Sequence, residues 1–387
     1  MQQYFTLKHP EEDAQAVTAL CERFAFQGAE VFMDDVCNRD EMLFSCEQEK
    51  QQLAQRLQAR CVKRLHCSYW AYPTSFLTNH HFGELVERFG GEDKVAGYYG
   101  DLTGEHMFAR WMQEYELASA LGAQSYTFHL IDYAPIDGMW GFTISRADIC
   151  QAMIYMIQRF LNCLLQHKLL SADTPQIEVE NAGWGLEYGL QTADDFALMF
   201  SQLYDPFDKV RIGWDINHLL HALGGDAGTD TARFFLPACE VTESMRALEK
   251  QYGASPSKLA VQWLESNLLD ARIAAKAGAV QLSDCALKRT EYFTNGILNG
   301  AYHQEIAALS TWEEREDYGV KIVLSEYDSH EVLGTGALCG SDMQQLLSAL
   351  AAKSKNVVLL HELKNSTDVA CALDAQVRAL LGKDAAL

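Results

Sequence analysis

The run Gln176-Ile177-Glu178-Val179-Glu180-Asn181-Ala182-Gly183 reads as a short strand that ends in polar residues and a glycine-containing turn. Glu178 and Glu180 are two residues apart, so on a strand both side chains point to the same face. A carboxylate on the inner face of a buried strand is unfavourable unless it is paired or bound to a metal. A single such Glu is usually just a solvated strand end, so the interpretation depends on what the neighbouring strands carry.

Three later strand-like runs end in the same way. They are residues 211–215, followed by His218; residues 279–284, which include Gln281; and residues 321–326. Each run is apolar and delivers an oxygen or nitrogen side chain near its C-terminal end. Four consecutive strands with such ends predict one metal site, with these ligands: Glu180, Asp215, Gln281 and Glu326. Oxygen ligands suit Mn or Mg, and added imidazoles favour Zn or Co, so we expect one divalent cation.

The composition is that of an ordinary globular protein, with 48% hydrophobic and 22% charged residues over 387 positions. The formal net charge is −22. Proteins that bind the phosphate backbone of nucleic acids usually carry a basic excess, so this charge argues against a nucleic-acid partner. It favours a small polar substrate.

The 11 cysteines are scattered singly, without a C-x-x-C pair. This pattern is typical of reduced thiols in a cytoplasmic protein rather than of a disulfide framework. The first residues, 1–4, lack the basic and apolar segments of a signal peptide. The longest apolar run, 154–165, is interrupted by polar residues and is too short to cross a bilayer. We therefore expect a cytoplasmic protein without a membrane partner.

Strand-like and helix-like segments alternate along most of the chain. Eight strands are predicted up to residue 326, at 3–7, 29–33, 62–69, 125–131, 176–180, 211–215, 279–284 and 321–326. This alternation predicts an α/β fold with a closed (β/α)8 TIM barrel, whose active site lies at the C-terminal ends of the strands. A doubly wound open sheet is the alternative, but the chain lacks the glycine-rich phosphate turn typical of such sheets.

We assign residues 1–330 to the barrel domain, with long loops after strands 3 and 6. Residues 331–387 contain a further predicted strand at 357–360 between two predicted helices. We assign them to a C-terminal α/β extension that packs on the barrel or on a partner subunit of a homo-oligomer.

Several short motifs, in this order along the chain, resemble the xylose-isomerase-like TIM barrel superfamily. That superfamily contains sugar phosphate isomerases and epimerases and the family-two AP endonucleases. The motifs, from the third strand to the eighth, are His66-Cys67-Ser68-Tyr69, Phe128-His129, Glu180-Asn181, Asp215-Ile216-Asn217-His218, Gln281 with Arg289, and Glu326. The Gln at position 281 is similar to hydroxypyruvate-isomerase-like and ketose epimerase members, in which Gln replaces the commoner His ligand.

The resemblance implies a divalent-metal-dependent isomerase or epimerase of a small carbohydrate, acting through an enediolate. It implies that Glu180 and Glu326 bind the metal and also move protons. His218 and Arg289 would hold substrate oxygens, and Lys288 competes with Arg289 for that role. The other expected substrate-binding residues are His66, His129, Asn181 and Trp184, the last either as an apolar wall beside a sugar or as loop packing. Glu178 is expected one layer deeper in the barrel.

Two departures from the resemblance leave other functions open. The nucleases of this superfamily use a further Asp and His after the seventh strand, and residues 284–291 contain no D-x-H pair. Together with the net charge, this argues against an AP endonuclease. The long loops exceed what a minimal sugar isomerase needs. A metal-dependent lyase or dehydratase acting on a keto sugar or polyol is therefore an alternative, as is a barrel that binds sugar without turnover.

Overall fold

The computed structural model describes residues 1–7, 14–68, 82–133, 145–183, 187–225, 256–284, 291–294, 313–317, 320–324, 330–335, 338–363 and 368–381. Its strands, in chain order, are β1 (Gln3–Thr6), β2 (Gly28–Phe32), β3 (Val62–His66), β4 (Ser125–Phe128), β5 (Asp132–Tyr133), β6 (Gln176–Glu180), β7 (Glu187–Tyr188), β8 (Val210–Asp215), β9 (Ala277–Leu282), β10 (Glu291–Thr294), β11 (Glu313–Asp317), β12 (Val320–Leu324) and β13 (Val358–His361).

Eight of these strands close into a parallel barrel. The order around the barrel is β1, β2, β3, β4, β6, β8, β9 and β13, and β13 pairs with β1 to close it. Every neighbouring pair is parallel, as expected for strands joined by helical crossovers. The predicted (β/α)8 TIM barrel is confirmed, and the open-sheet alternative is excluded.

Helices cover the outside of the barrel. They are α1 (Ala14–Phe24), α2 (Met33–Val36), α3 (Glu47–Gln58), α4 (Phe82–Phe89), α5 (Glu92–Tyr99), α6 (Glu105–Leu121), α7 (Arg146–Gln166), α8 (Ala193–Gln202), α9 (Ile216–Gly225), α10 (Pro256–Leu268), α11 (Gly340–Lys353) and α12 (Val369–Leu381). Their apolar faces and the outward strand residues form the main core, in which Phe128 of β4 stacks on Phe160 of α7 with ring centroids 5.0 Å apart. Within the described ranges, no helix has the length and hydropathy to span a membrane.

The predicted eighth strand is wrong. Strand β12 pairs antiparallel with β10 and β11 in a separate three-stranded sheet, whereas β13 fills the gap between β9 and β1. Both segments are short and apolar, so only their pairing partners distinguish them. The predicted division of the chain at residue 330 is therefore also wrong, because residues 331–387 supply a barrel strand.

The barrel interior contains a buried charge group beneath the C-terminal strand ends. Arg64 Nε donates to Glu30 Oε2 at 3.0 Å, and Arg64 Nη1 donates to Glu178 Oε1 at 3.2 Å, with a second contact from Nη2. Burial raises the pKa of Glu30 to about 7, although Arg64 opposes the shift. Two ionised carboxylates around one guanidinium would leave an excess negative charge. The raised pKa of Glu30 favours its protonated form, which reduces that excess. Glu178 lies one layer below Glu180, as predicted.

Gly278 leaves the space that Glu178 occupies. A Cβ at position 278 would lie 2.7 Å from Arg211 Cβ and 3.0 Å from Glu178 Oε1. We expect Gly278→Ala to lower the free energy of unfolding by about 1–3 kcal/mol, because an extra methyl group in a packed interior forces its neighbours to move. Urea denaturation measures the difference.

The matched control is Gly83→Ala. Position 83 is exposed on α4, and a Cβ there meets no atom within 4 Å. This variant is expected to be as stable as the parent or slightly more stable, because Ala favours helix over Gly. Equal stability of the two variants would contradict the packing interpretation of Gly278.

Candidate metal centre

Polar side chains meet at the C-terminal ends of the barrel strands. Glu180 and Asp215 are the last residues of β6 and β8, His66 is the last residue of β3, and Gln281 is the penultimate residue of β9. His129 directly follows β4, and His218 lies in the first turn of α9. Parallel strands bring these ends to one mouth of the barrel. All of these side chains are buried except His129, which is partly buried.

Glu180 is the side chain that the others share. Its Oε1 lies 3.5 Å from His129 Nδ1 and 3.6 Å from His218 Nδ1. Its Oε2 lies 3.3 Å from His66 Nε2 and accepts a hydrogen bond from Gln281 Nε2 at 2.9 Å. Burial alone would raise the pKa of Glu180, but the surrounding imidazoles outweigh it and hold that pKa well below its usual range. Glu180 is therefore an ionised carboxylate that contacts three imidazoles and one amide.

The contact between His66 and Glu180 requires a proton or a cation between the two side chains. Burial lowers the pKa of His66, but its hydrogen bonds to Cys67 and to Glu180 raise that pKa well above its usual range. His66 Nδ1 lies 2.9 Å from the Cys67 carbonyl, which can only accept, so the proton of a neutral imidazole sits on Nδ1. Its Nε2 then faces Glu180 Oε2 with a lone pair, and two lone pairs at 3.3 Å repel unless a proton or cation lies near both. In a tetrahedral site with bonds of about 2.0–2.2 Å, ligand atoms lie roughly 3.3–3.6 Å apart. The spacing fits such a site.

Two groups of three ligand atoms occur side by side. The first, here called the Glu180 group, is His66, His129 and Glu180; the second, here called the Asp215 group, is Asp215, His218 and His330. Within each group the ligand atoms all lie within 4.8 Å of one another. The distance from His218 Nδ1 to Glu180 Oε1 links the two groups.

The Asp215 group is built from distant parts of the chain. Asp215 Oδ2 lies 3.7 Å from Nε2 of His218 and 3.7 Å from Nε2 of His330. His218 Nδ1 contacts the Asn181 carbonyl at 2.9 Å, which leaves the Nε2 lone pair turned toward Asp215. Burial raises the pKa of Asp215 to about 6, against the opposing effect of both imidazoles. A carboxylate that is buried and desolvated in this way needs a positively charged partner to remain ionised.

Two buried oxygens test whether these residues fit a metal. Asp215 Oδ2 and Gln281 Oε1 are both buried, and neither finds a hydrogen-bond partner among the residues described. Buried polar atoms are nearly always satisfied, so such atoms beside three imidazoles and a carboxylate are typical of the donor set of a cation site. The mixed nitrogen and oxygen donors suit Zn, Co or Mn.

No known family model matches this chain, and no curated protein sequence matches it. Among solved structures, a D-tagatose 3-epimerase-like protein aligns over 100% of both chains with a TM-score of 0.52 and 11% identity. An L-ribulose 3-epimerase aligns over 99% of this chain and 94% of its own, with a TM-score of 0.48 and 11% identity. Endonuclease IV from Thermus thermophilus aligns over 98% of this chain and 99% of its own, with a TM-score of 0.48 and 15% identity.

The chain shares the closed parallel (β/α)8 barrel fold of the D-tagatose 3-epimerase-like protein. This confirms the suspected resemblance at the level of the fold. Identities this low carry no information about the reaction.

This barrel brings together most of the predicted site residues. His66, His129, Glu180, Asp215, His218 and Gln281 all lie in the centre. Asn181 lies beside the centre, and its side chain makes two hydrogen bonds to the backbone of Asp215. Its Oδ1 accepts from the Asp215 amide at 2.7 Å, and its Nδ2 donates to the Asp215 carbonyl at 3.2 Å. Its predicted contact with substrate stays a prediction. Trp184, Arg289 and Glu326 lie outside the described residues.

Two residues of the centre were missed from the sequence. Glu362 follows β13, the true eighth strand, and is buried at the position predicted for Glu326. His330 enters from the far end of the long segment between β9 and β13. The signal for His330 was present, because Asp328-Ser329-His330 is a D-x-H pair. That pair was expected directly after the seventh strand, at 284–291, so its absence there no longer argues against nuclease-type chemistry.

His330 is held in place by the end of β9. Ser283 Oγ lies 3.1 Å from His330 Nδ1, and residues 284 and 331 exchange backbone hydrogen bonds at 2.8 and 3.0 Å. The Asp284 carboxylate accepts from the amides of Gly334 and Leu338 at 2.9 and 3.2 Å. These contacts fix the backbone that follows His330.

Proposed function

We propose that this chain is a divalent-metal-dependent enzyme whose centre takes two cations, with Glu180 as the shared ligand. The observation that carries the proposal is the convergence of three imidazoles and an amide on one ionised, buried carboxylate. A small, oxygen-rich substrate at the barrel mouth, such as a carbohydrate or its phosphate ester, suits this chemistry. The single cation predicted from the sequence is thereby extended to a pair.

The chain offers ligands for both positions. The Glu180 group would hold one cation and the Asp215 group the other, with Gln281 Oε1 and Glu362 at the same mouth. Bound divalent cations would polarise substrate oxygens and lower the pKa of a bound water. The protein residues orient the ligands: the Cys67 and Asn181 carbonyls fix the His66 and His218 rings.

The first candidate reaction is proton transfer next to a carbonyl, as in an isomerase or epimerase that passes through an enediolate. It is supported by two glutamates at the ends of β6 and β13, three places apart around the barrel. Glu362 takes the role assigned to Glu326. Because Glu180 is fixed by four contacts, Glu362 is the better general base of the pair. A lyase or dehydratase would use the same proton abstraction.

The second candidate reaction is hydrolysis of a phosphate ester. The observation that favours it is His330, which completes the Asp215 group beside the Glu180 group. Paired cations serve in-line displacement at phosphorus, whereas proton transfer needs only one. The net charge of −22 opposes a long nucleic acid, so this candidate is directed at small phosphate esters. A cytoplasmic location and a homo-oligomer stay predictions.

His330→Gln separates the two reactions. The variant is expected to bind one cation fewer than the parent. If proton transfer is the reaction, exchange of a substrate C–H with solvent deuterium continues in the variant. If hydrolysis is the reaction, the rate falls by at least about 100-fold, because a lost ligand costs more than a lost orienting residue.

The experiment uses metal-loaded protein with two substrate panels. Keto and aldo sugars in deuterated water are followed by NMR, and phosphate monoesters and diesters are followed by phosphate or alcohol release. Chelation with EDTA and re-addition of each metal is the control. Turnover that survives complete metal removal would contradict the proposed function in both forms.

A further inference from the structure

A row of inward-facing polar residues crosses the neighbouring strands β3, β2, β1 and β13. Register pairs Arg64 with Glu30 and Glu30 with Thr6. Phe5 pairs with His361, so Glu362 follows level with Thr6. Tyr4 and Leu360 belong to the apolar cluster inside the barrel, and alternation along a strand therefore turns Thr6 and Glu362 inward as well. The row extends the polar mouth to strands β1, β2 and β13.

Two atoms of this row lack a hydrogen bond. Thr6 is 7% exposed and Glu30 is fully buried, yet Thr6 Oγ1 and Glu30 Oε1 have no partner within the described part of the chain. These residues are directly paired on neighbouring strands. A buried hydroxyl and a carboxylate oxygen side by side, both unsatisfied, indicate a group that binds between them.

Hydrogen bonds to one of its two carboxylate oxygens fix the orientation of Glu30. Its Oε2 accepts from Arg64 Nε at 3.0 Å and from Thr127 Oγ1 at 3.2 Å. Arg64 is in turn held by Glu178. With one oxygen anchored, the other is presented in a defined direction, which is how a residue built for recognition is held.

We propose that Thr6 and Glu30 form a subsite for a hydroxyl group of the substrate, and that this subsite excludes a carboxylate or phosphate at that end. The inference rests on the proposed function, because the opposite end of the substrate is taken to bind the cations. A hydroxyl can donate to Glu30 Oε1 and accept from the Thr6 Oγ1 hydroxyl. An anionic group can only accept, and it would meet both Glu30 and Glu362.

Paired sugar acids test the subsite. Each mono-acid has one carboxylate for the cations and a hydroxyl at the other end, and the matching diacid has carboxylates at both ends. The pairs are glycerate with tartronate, xylonate with xylarate, and gluconate with glucarate. Calorimetric titration of the manganese-loaded protein at about pH 8.5, above the raised pKa of Glu30, is expected to show tighter binding of the mono-acid in at least one pair.

Two variants and a control isolate the residues. Thr6→Val is expected to weaken mono-acid binding by about 5- to 20-fold, the loss expected for one buried hydrogen bond. Glu30→Gln is expected to reduce the preference for the mono-acid, because the amide removes the repulsion and can donate. Tyr4→Phe removes a hydroxyl from the same strand that already bonds to Gln2, and should leave binding unchanged.

The outcomes distinguish the two proposals. Equal binding of mono-acid and diacid by the parent, or mono-acid binding by Thr6→Val equal to that of the parent, would overturn the subsite alone. If Glu30→Gln fails to fold, the isosteric Thr6→Val still decides. The absence of any metal-dependent binding would contradict the proposed function, and the subsite with it.

Discussion

Glu180→Gln is expected to lose the paired cation centre. The amide keeps one oxygen but replaces the other with an NH2 group, which donates and cannot ligate, so the two groups can no longer share the side chain. We expect at most one bound equivalent, with affinity lower by more than about 100-fold, since residues that merely orient a ligand already contribute about 10- to 100-fold. Turnover should be undetectable. Metal titration with a fluorescent chelator gives the stoichiometry and affinity.

The control for Glu180→Gln is Glu105→Gln, the same change at an exposed helix position. That variant should keep both equivalents and full turnover. Glu362→Gln is expected to keep the cations more completely than Glu180→Gln, because Glu362 lies outside both groups of ligand atoms. A Glu180→Gln protein with two tightly bound equivalents would show that Glu180 does not bridge.

Arg64→Met is expected to destabilise the fold by about 3–5 kcal/mol, because removal of one partner from a buried ion group leaves the others uncompensated. Arg64 is completely buried between Glu30 and Glu178, and Met fills a similar volume without charge. This loss of stability is larger than that expected from breaking an ion pair on the protein surface. Urea denaturation followed by circular dichroism measures it, with the metal removed so that cation binding does not contribute.

Two comparisons make this result specific. Arg23→Met breaks an ion pair between partly exposed side chains on α1 and α12, and should change stability little. The triple variant Arg64→Met, Glu30→Gln, Glu178→Gln should recover much of the loss, because no buried charge is then left alone. A loss below about 1 kcal/mol for Arg64→Met would mean that water reaches Glu30 and Glu178.

The sequence predicted the parts of the centre that depend on local pattern. Glu180, Asp215 and Gln281 were found because each lies at or near the C-terminal end of an apolar strand, and a parallel barrel brings such ends together. Glu178 was expected one layer deeper because strand side chains alternate, and the structure confirms it. Its partner Arg64 could not be predicted, since β3 and β6 are not adjacent and meet only across the barrel interior.

The missed residues depend on long-range pairing. The segments at 320–324 and 358–361 have equal strand character, and the choice between them is made by β9 and β1, which are distant in sequence. His330 was missed for the same reason: backbone bonds between residues 284 and 331 close a long segment and return the chain to the end of β9. Pattern along the chain contains no information about where such a segment returns.

Elemental mass spectrometry of protein purified without chelators counts the bound cations. Anomalous diffraction at the metal absorption edges locates them. We expect two cations per chain, each about 2.0–2.2 Å from an oxygen of Glu180. One should lie among His66 and His129, and the other among Asp215, His218 and His330. A single cation, or two cations of which neither contacts Glu180, would contradict the bridged centre.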